Sequence, residues 1–323
     1  MHSPAQPPVG VITPVYNGAR FIADALDAVQ AQTYPNLTHF VLDNASTDAT
    51  PQILAAYEAS RVPLMQHRNA ELLPIAENWN AAVQHGLGGA VYFRFLCADD
   101  TLPPDAIEKM VALAEADPAV SVVACQRSTD AGVESLGWDP ARVVYDGKEA
   151  LRSCFLGDTG LAPPHFLYRS RAAATRQPFF DESILAFDTD AGFRLLAEPG
   201  AKLGFVHEPL GHTTRHDSSV TEREVHVKHT DFLDWYVLVQ RYAAGVLSGE
   251  EMADYMRAFR RHYFGRMLAW RFADRNALAY DWHIQELQAR GAVPTLGDFG
   301  DALLDYGLRK IGMRTRWDHY PQG

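Results

Sequence analysis

The chain has little cysteine, little basic charge and no long apolar run among its 323 residues. Its three cysteines show no Cys-x-x-Cys spacing, which argues against a disulfide framework and against a thiolate zinc site. A formal net charge of −11 lacks the basic excess that binding a nucleic-acid backbone requires, so we expect no nucleic-acid partner. No apolar stretch reaches the length that spans a bilayer, and no secretory signal is visible after Met1. We therefore expect a cytoplasmic protein.

Short apolar runs alternate with amphipathic stretches through the first hundred residues. Strands are predicted over 9–15, 38–42, 64–66 and 90–98. Each is followed by a segment in which apolar residues recur at helical spacing. This alternation is typical of an α/β fold with a doubly wound, mostly parallel sheet and helices on both faces.

The pattern changes after a fifth predicted strand, 120–124. Residues 127–164 are expected to form a long connection with one embedded helix, and a further strand is predicted over 202–206. Beyond that strand only helical patterns follow. We therefore predict an α/β domain over residues 1–220 and a helical C-terminal extension over residues 221–323.

Two adjacent carboxylates, Asp99 and Asp100, follow the predicted strand 90–98. In open parallel sheets, ligands bind outside the carboxyl ends of the strands. Adjacent carboxylates repel each other and lose hydration there, so we expect a positive group to compensate them. The alternative is that one of them caps the helix predicted after Pro104, since Asp is a preferred N-cap residue.

Three segments together resemble the family 2 glycosyltransferases, which have the GT-A fold. They are Val-Ile-Thr-Pro-Val-Tyr-Asn at 11–17, Asp-Asn-Ala-Ser-Thr-Asp at 43–48 and Leu-Cys-Ala-Asp-Asp at 96–100. Their order and spacing make a chance match unexpected. The resemblance covers about residues 9–220. It implies an inverting, metal-assisted enzyme that moves a sugar from a UDP- or dTDP-sugar donor to a hydroxyl of a glycan or lipid-linked acceptor, as in the synthesis of bacterial surface polysaccharides.

The resemblance also implies a nucleotide pocket lined by Thr13, Pro14, Tyr16 and Asp43. A carboxylate accepts hydrogen bonds from a base or a ribose, and a tyrosine ring offers a face for stacking. A turn in which Asp43 bonds its own backbone is the alternative. Asn69, which follows the third strand, stands where the family often has an asparagine near the nucleotide. A solvated loop is the alternative for Asn69.

The metal motif of the family is Asp-x-Asp, and Cys97 stands here at its first position. The resemblance therefore implies Asp99 as the principal metal ligand, with Asp100 next to it. Mg²⁺ or Mn²⁺ is the expected cofactor, because hard cations prefer carboxylate and phosphate oxygens. Cys97 is a poor ligand for either ion and is interpreted as a wall residue.

Asp188 takes the position of the catalytic base of the family, which removes the proton of the acceptor hydroxyl. Phe187 replaces the usual glutamate, and an aromatic neighbour favours a raised pKa of Asp188 by removing water. Capping of the following helix is the alternative for Asp188. Asp190 is the reserve candidate for the base.

A basic segment follows the predicted strand 202–206 and is similar to the family's segment over the donor diphosphate. The resemblance implies that Arg215 and His216 bind the diphosphate, where positive groups offset the charge of the leaving group. A zinc site is the alternative for the histidines of this region, since His226 and His229 share a helical spacing.

Residues 251–271 combine five arginines with an apolar stripe at helical spacing. Such a helix predicts peripheral contact with an anionic membrane, at the inner face where a lipid-linked acceptor resides. Packing on the chain's own core, or on a second subunit in a homodimer, is the alternative.

Two other functions stay open at this point. A nucleotidyltransferase or an oxidoreductase on a similar sheet would need a glycine-rich phosphate turn, and residues 14–18 contain a single glycine. A non-catalytic nucleotide-sugar-binding protein is the second alternative, because Cys97 and Phe187 depart from the catalytic pattern. It predicts binding of the donor without turnover.

Overall fold

The structure is a computed structural model that describes residues 6–59, 61–217, 219 and 221–310. Two compact units make up the described chain. The first comprises the described residues up to Cys154 and from Asp158 to Arg215, and the second comprises Phe155–Gly157 and the described residues from His216 onward. The domain boundary expected at residue 220 stays a prediction.

The first unit is an α/β sheet with helices on both sides, as predicted. Its strands are β1 (Val9–Val15), β2 (Leu37–Asp43), β3 (Leu64–Arg68), β4 (Tyr92–Phe95), β5 (Val120–Thr129), β6 (Gly132–Glu134), β7 (Val144–Asp146), β8 (Leu167–Arg169) and β9 (Lys202–Thr213). Its helices are α1 (Ile22–Gln30), α2 (Thr50–Ala56), α3 (Ile75–Gly86), α4 (Ala106–Ala116), α5 (Gly147–Leu156), α6 (Arg171–Thr175) and α7 (Phe187–Leu196). A 3₁₀ turn, Pro163–His165, precedes β8.

The sheet is mostly parallel, with antiparallel strands in the half that follows β4. The strand order is β3-β2-β1-β4-β8-β5-β9-β7, and β6 pairs with β5 outside this path. Strands β1 to β4 pair in parallel, as do β5 and β9, whereas β8 lies antiparallel between β4 and β5. All residues of β1 are buried, as expected for a central strand covered on both faces.

The structure corrects three predicted strands and adds three. The strand predicted over 120–124 continues to Thr129, into the predicted connection. The strand predicted over 90–98 is confined to β4, and the chain turns away before the acidic pair. The strand predicted over 202–206 extends to Thr213, through irregular pairing with β5. The predicted connection 127–164 carries two short strands, β6 and β7, and β8 follows it. Segments of three residues are too short to show an alternating pattern.

Close packing of α3 on the sheet requires the glycine at its end. A Cβ on Gly86 would lie 2.8 Å from a ring carbon of Phe40, which is closer than side-chain carbons approach. Helix α1 shows the expected apolar spacing, with Ile22, Ala25, Leu26 and Val29 buried. The carboxyl ends of the central strands are thereby fixed on a rigid sheet.

Helices joined by turns and short loops make up the described part of the second unit. Its helices are α8 (His226–Lys228), α9 (Thr230–Tyr242), α10 (Gly249–Phe272), α11 (Ala277–Ala289) and α12 (Leu296–Lys310), with a π-helical turn over Thr221–Val225 and a 3₁₀ turn over Ala243–Gly245. Ser248 and Glu251 form a capping box at the start of α10. Among the described residues, no helix has the length and apolar character that crossing a bilayer demands.

The arginines of α10 are engaged within the second unit. Arg260 pairs with Asp298 at 2.9 Å and Arg266 with Asp274 at 3.4 Å, and Arg271 lies over the ring of Tyr280. The apolar face of the helix is buried, with Tyr263 and Trp270 among its fully enclosed side chains. This supports the alternative in which the helix packs on its own core. Membrane contact and a homodimer stay predictions.

Candidate active site

The turn after β2 holds Asp43 in place from two sides. Its Oδ1 accepts a hydrogen bond from the backbone N–H of Ser46 at 2.9 Å, which is the turn expected as the alternative. Its Oδ2 pairs with the guanidinium of Arg68 at the end of β3. Arg68 also donates to the backbone oxygen of Ser46 at 2.8 Å, so the carboxylate is buried and oriented by an exposed cation. These contacts hold the Asp43 carboxylate and the Arg68 guanidinium side by side at the carboxyl ends of β2 and β3.

An asparagine cluster lies behind this pair. The amide of Asn69 donates to Asn44 at 2.8 Å and to Asn78 of α3 at 2.9 Å. Its backbone N–H donates to the backbone oxygen of Asp43 at 2.8 Å. The solvated loop offered as the alternative for Asn69 is therefore wrong, because Asn69 ties β3 to α3. A contact between Asn69 and a nucleotide stays a prediction.

The loop after β1 is tied to the loop after β2. The side-chain oxygen of Asn17 accepts from the backbone N–H of Thr47 at 2.8 Å, and Ser46 accepts from the N–H of Asn17 at 2.9 Å. Tyr16 keeps 40% of its surface exposed beside these contacts, so its ring is available for stacking. The loops that follow β1 and β2 are thus joined at the carboxyl ends of these strands.

Thr13 and Pro14 lie deeper than Tyr16. The hydroxyl of Thr13 is buried and lies 2.9 Å from Nε2 of His39 on β2. Any contact of Thr13 with a nucleotide would therefore come from its backbone. Pro14 is also buried. Both roles in the nucleotide pocket stay predictions.

The acidic pair and Cys97 converge just after β4. One side-chain ligand atom from each of Cys97, Asp99 and Asp100 lies within 4.8 Å of the other two. Helix α4 begins later and has Asp105 at its N-cap position, so neither Asp99 nor Asp100 caps it. The N-cap alternative for the acidic pair is wrong.

Asp100 is the more enclosed acid of the pair. Only 4% of its surface is exposed, and its Oδ1 accepts from the backbone N–H of Thr214 at 3.1 Å. Burial, and then the charge of Asp99, raise the pKa of Asp100 to about 7. Burial also raises the pKa of the Cys97 thiol well above its usual value, with further contributions from the acids around it.

The expected positive compensation comes from two arginines. Arg94 of β4 is fully buried and donates to the backbone oxygen of Leu210 at 2.7 Å. The charges of Arg94 and of Arg127 on β5 both oppose the rise in the pKa of Asp100. One buried cation and one partly exposed cation thus act electrostatically on Asp100.

Two of the three side chains in this cluster suit a hard divalent cation. The carboxylates of Asp99 and Asp100 are the oxygen ligands that Mg²⁺ and Mn²⁺ prefer. The Cys97 thiol keeps its proton at neutral pH, since its pKa is raised, and it is a soft donor. Asp99 and Asp100 would therefore hold the ion, and Cys97 would form a wall of the site.

Asp188 lies near this cluster although it is distant in sequence. It is the second residue of α7, whose N-cap position belongs to Ala186, so Asp188 does not cap the helix. The charge of Asp188 contributes to the raised pKa of the Cys97 thiol, so the two side chains lie within electrostatic range of each other. Burial raises the pKa of Asp188 itself to about 6, and hydrogen bonds from Thr189 oppose the rise. The raised pKa of Asp188 has the direction expected from its aromatic neighbour Phe187.

Asp190, the reserve candidate, has a different environment. It is fully buried, and its Oδ2 accepts from Arg176 at 3.1 Å. Asp190 is thus engaged in an ion pair away from solvent, and its role as the reserve base stays a prediction.

Glu134, with Arg127, extends the site beyond the residues singled out in the sequence. Arg127 bonds Glu134 across the β5–β6 hairpin, and Arg215 lies 3.8 Å from the same carboxylate. Asp130 and Gly132 mark the turn between the strands, but only the register of the hairpin brings Arg127 and Glu134 together.

In the part of the chain that the structure describes, the side chains placed to share a metal ion are Cys97, Asp99 and Asp100, and no histidine is among them. His226 pairs with Glu222 at 2.9 Å, and the ring of His229 stacks on Trp270. His216 is the first residue of the second unit, and its role in binding diphosphate stays a prediction.

A sheet of this order, with an acidic pair after its fourth strand, defines a GT-A-type α/β protein. The model of the family "Glycosyl transferase family 2" matches residues 10–176, and the chain belongs to this family. The resemblance seen in the sequence is thereby confirmed.

Curated proteins named as glycosyltransferases are similar to the chain over part of their length. An uncharacterized glycosyltransferase of Rickettsia typhi is 28% identical over 227 residues, which are 67% of this chain and 66% of that protein. The putative glycosyltransferase EpsE of Bacillus subtilis is 33% identical over 112 residues, 34% of this chain and 39% of that protein. The matched regions thus span less than two thirds of these relatives.

Solved structures share the fold over nearly the whole chain. S. aureus TarS 1-349 in complex with UDP-GlcNAc has a TM-score of 0.71 at 16% identity, covering 96% of this chain and 94% of that one. The mannosyltransferase PcManGT from Pyrobaculum calidifontis, in complex with GDP-Man and Mn²⁺, has a TM-score of 0.55 at 19% identity, covering 97% and 82%. At these identities the likeness establishes the fold.

Proposed function

We propose that the protein transfers a sugar from a nucleotide-diphosphate donor to a hydroxyl of a glycan or lipid-linked acceptor. The observation that carries the proposal is the electrostatic interaction of Asp188 with Cys97, which clusters with the acidic pair. Asp188, with a pKa of about 6, is the proposed base, and the acidic pair suits a cation and diphosphate. An acceptor hydroxyl needs such a base to become a nucleophile.

The donor is a UDP- or dTDP-sugar. Asp43 and Arg68 present an acceptor and a donor of hydrogen bonds at the ends of β2 and β3, where an α/β sheet binds nucleotides. Tyr16 offers a stacking face beside them. The complexes of S. aureus TarS with UDP-GlcNAc and of PcManGT with GDP-Man and Mn²⁺ support a nucleotide-sugar donor on this fold.

The chemical step is a single displacement. The acceptor oxygen forms a bond to the anomeric carbon of the donor sugar while the bond to the diphosphate oxygen breaks. Asp188 takes the hydroxyl proton, and the configuration at the anomeric carbon inverts. Attack and departure on opposite faces need the base and the diphosphate on opposite sides of the sugar. We assign Asp188 to the side of the attacking hydroxyl and Arg215 to the side of the departing diphosphate.

Asp99 and Asp100 would hold Mg²⁺ or Mn²⁺, which supplies positive charge to the departing diphosphate when bound. Arg215 adds a second positive group. Its guanidinium is half exposed, which leaves it accessible to a diphosphate. The cell compartment is proposed to be the cytoplasm, with peripheral contact at the inner face of the membrane through residues 251–271. That contact would use the arginines of α10 that are paired with aspartates in the structure.

A donor panel tests the proposal. UDP- and dTDP-sugars are incubated with the protein and Mn²⁺, and release of the nucleotide is measured with and without candidate glycan acceptors. Asp188→Asn and Asp99→Asn are expected to lower release strongly at a fixed Mn²⁺ concentration, whereas Asp105→Asn, an exposed acid at the start of α4, is the matched control. Binding of a donor without turnover would favour the non-catalytic alternative, and no binding of any donor would refute the proposal.

A further inference from the structure

One acidic side chain lies between two arginines at the end of the sheet that carries the acidic pair. Arg127 donates from Nε to Oε2 of Glu134 at 3.0 Å and makes a second bond from its terminal nitrogen to the same oxygen. The other oxygen, Oε1, lies 3.8 Å from the guanidinium of Arg215. We call these three side chains the arginine bridge.

The backbone fixes the arginine bridge beside Asp100. Arg127 and Glu134 lie directly opposite each other in the β5–β6 register, and β5 runs parallel to β9 as far as Thr213. The next residue, Thr214, donates its N–H to Asp100, and Arg215 follows it.

The charge of the arginine bridge is unbalanced. Two guanidinium groups face one carboxylate, so the three side chains together carry one positive charge. Their exposed side-chain fractions rise outward, from 26% for Arg127 through 33% for Glu134 to 54% for Arg215. A phosphate presents to a guanidinium the same pair of oxygen acceptors as a carboxylate does. The place of the Glu134 carboxylate is therefore one that a phosphate oxygen can take.

We propose that Arg127 and Arg215 bind the diphosphate of the donor, and that Glu134 is an internal anion which holds both arginines until the diphosphate replaces it. The inference rests on the proposed function, in which Arg215 alone of these three side chains had that role. Arg127 is then a further donor-binding residue. Glu134 is a positioning residue, because it acts through the two arginines.

The proposal predicts opposite effects for the two partners of one ion pair. Arg127→Gln removes a charged donor, so the Kd for UDP and for inorganic pyrophosphate should rise about tenfold or more. Glu134→Gln removes the competing anion, whose exposed ion pairs have modest strength, so both Kd values should fall about two- to fivefold. The Kd for uridine, which has no phosphate, should stay unchanged in both variants.

Isothermal titration of the full chain with Mn²⁺ measures these constants. Arg142 and Glu149 are the matched control pair, since they form a two-pronged ion pair of 2.6 and 2.9 Å elsewhere in the first unit. Arg142→Gln and Glu149→Gln should leave all three Kd values unchanged. Arg127→Lys keeps the charge without the planar fork and should weaken diphosphate binding about threefold, as a second variant if Arg127→Gln does not fold.

A purely structural hairpin contact predicts effects of the same sign, or none, for both partners. A Kd for pyrophosphate that is equal or higher in Glu134→Gln, or unchanged in the Arg127 variants, would overturn the inference. Failure of the proposed function is distinguishable. A wild-type chain that binds pyrophosphate but neither UDP nor dTDP would refute the nucleotide donor, and the pyrophosphate comparison would still decide the role of the arginine bridge.

Discussion

Replacing Asp188 with asparagine separates catalysis from folding. The substitution keeps the shape of the side chain and its acceptor oxygen for Thr189 but removes the negative charge and the ability to take a proton. Loss of a general base lowers a rate by about 10²–10⁴-fold. We expect kcat to fall within that range while the KM for the donor changes little, because Asp188 lies on the acceptor side of the proposed displacement.

The same substitution should stabilise the fold at neutral and alkaline pH. A carboxylate whose pKa rises from 3.8 to about 6 on folding opposes the folded state above pH 6 by up to about 3 kcal/mol. Partial exposure of Asp188 to water reduces this figure, and about 1–2 kcal/mol is our expectation. The sign is fixed by linkage. The penalty is absent below pH 3.8, grows as the pH rises through the interval to 6, and is constant above it.

Two assays measure these opposite effects. The pH profile of kcat/KM for donor turnover should rise with an apparent pKa near 6, since the base must be ionised. Urea unfolding of wild type and of Asp188→Asn at pH 4 and pH 8 should show a gain in unfolding free energy that is present only at pH 8. Activity retained by Asp188→Asn, or a stability gain equal at both pH values, would refute the reasoning.

Three further predictions concern the metal, the nucleotide and the packing beneath the site. Asp99→Asn should raise the Mn²⁺ concentration for half-maximal donor turnover about tenfold or more, because a hard cation loses a carboxylate ligand; an unchanged metal titration would contradict this. Arg68→Ala should raise the KM for the donor more than it lowers kcat, because Asp43 loses the cation that orients it; steady-state kinetics check it, and an effect on kcat alone would count against the pocket. Gly211→Ala should destabilise the protein by about 1–3 kcal/mol, because the new Cβ would lie 2.4 Å from the ring of His165; thermal melting measures the loss, and an unchanged Tm would show that the ring can move.

The elements that the sequence predicts well are those whose pattern is local. Helix α1 buries residues three and four apart, which only a helix places on one face. Strand β1 is an uninterrupted buried run bounded by turn residues. Strand β8 has no such signal, because three residues show no alternation and its place between β4 and β5 is set by pairing with strands distant in sequence.

The residues of the candidate site likewise comprise some with a local sequence signal and some without one. Asp99 and Asp188 are predicted from motif position, and the fold brings Asp188 within electrostatic range of Cys97. The contact of Arg127 with Glu134 depends on hairpin register, and the burial of the Thr13 hydroxyl depends on which face of the strand meets His39. Neither property has a local sequence signal.

The configuration of the sugar product tests the central claim most directly. Proton NMR, recorded in real time as the protein turns over an α-linked UDP-sugar with Mn²⁺, reads the anomeric coupling of the first sugar product before mutarotation. A single displacement with Asp188 as base predicts the β-configured sugar first, and no such product from Asp188→Asn. An α-configured first product would contradict the proposed role of Asp188, and an unconsumed donor across the UDP and dTDP panel would contradict the proposed function.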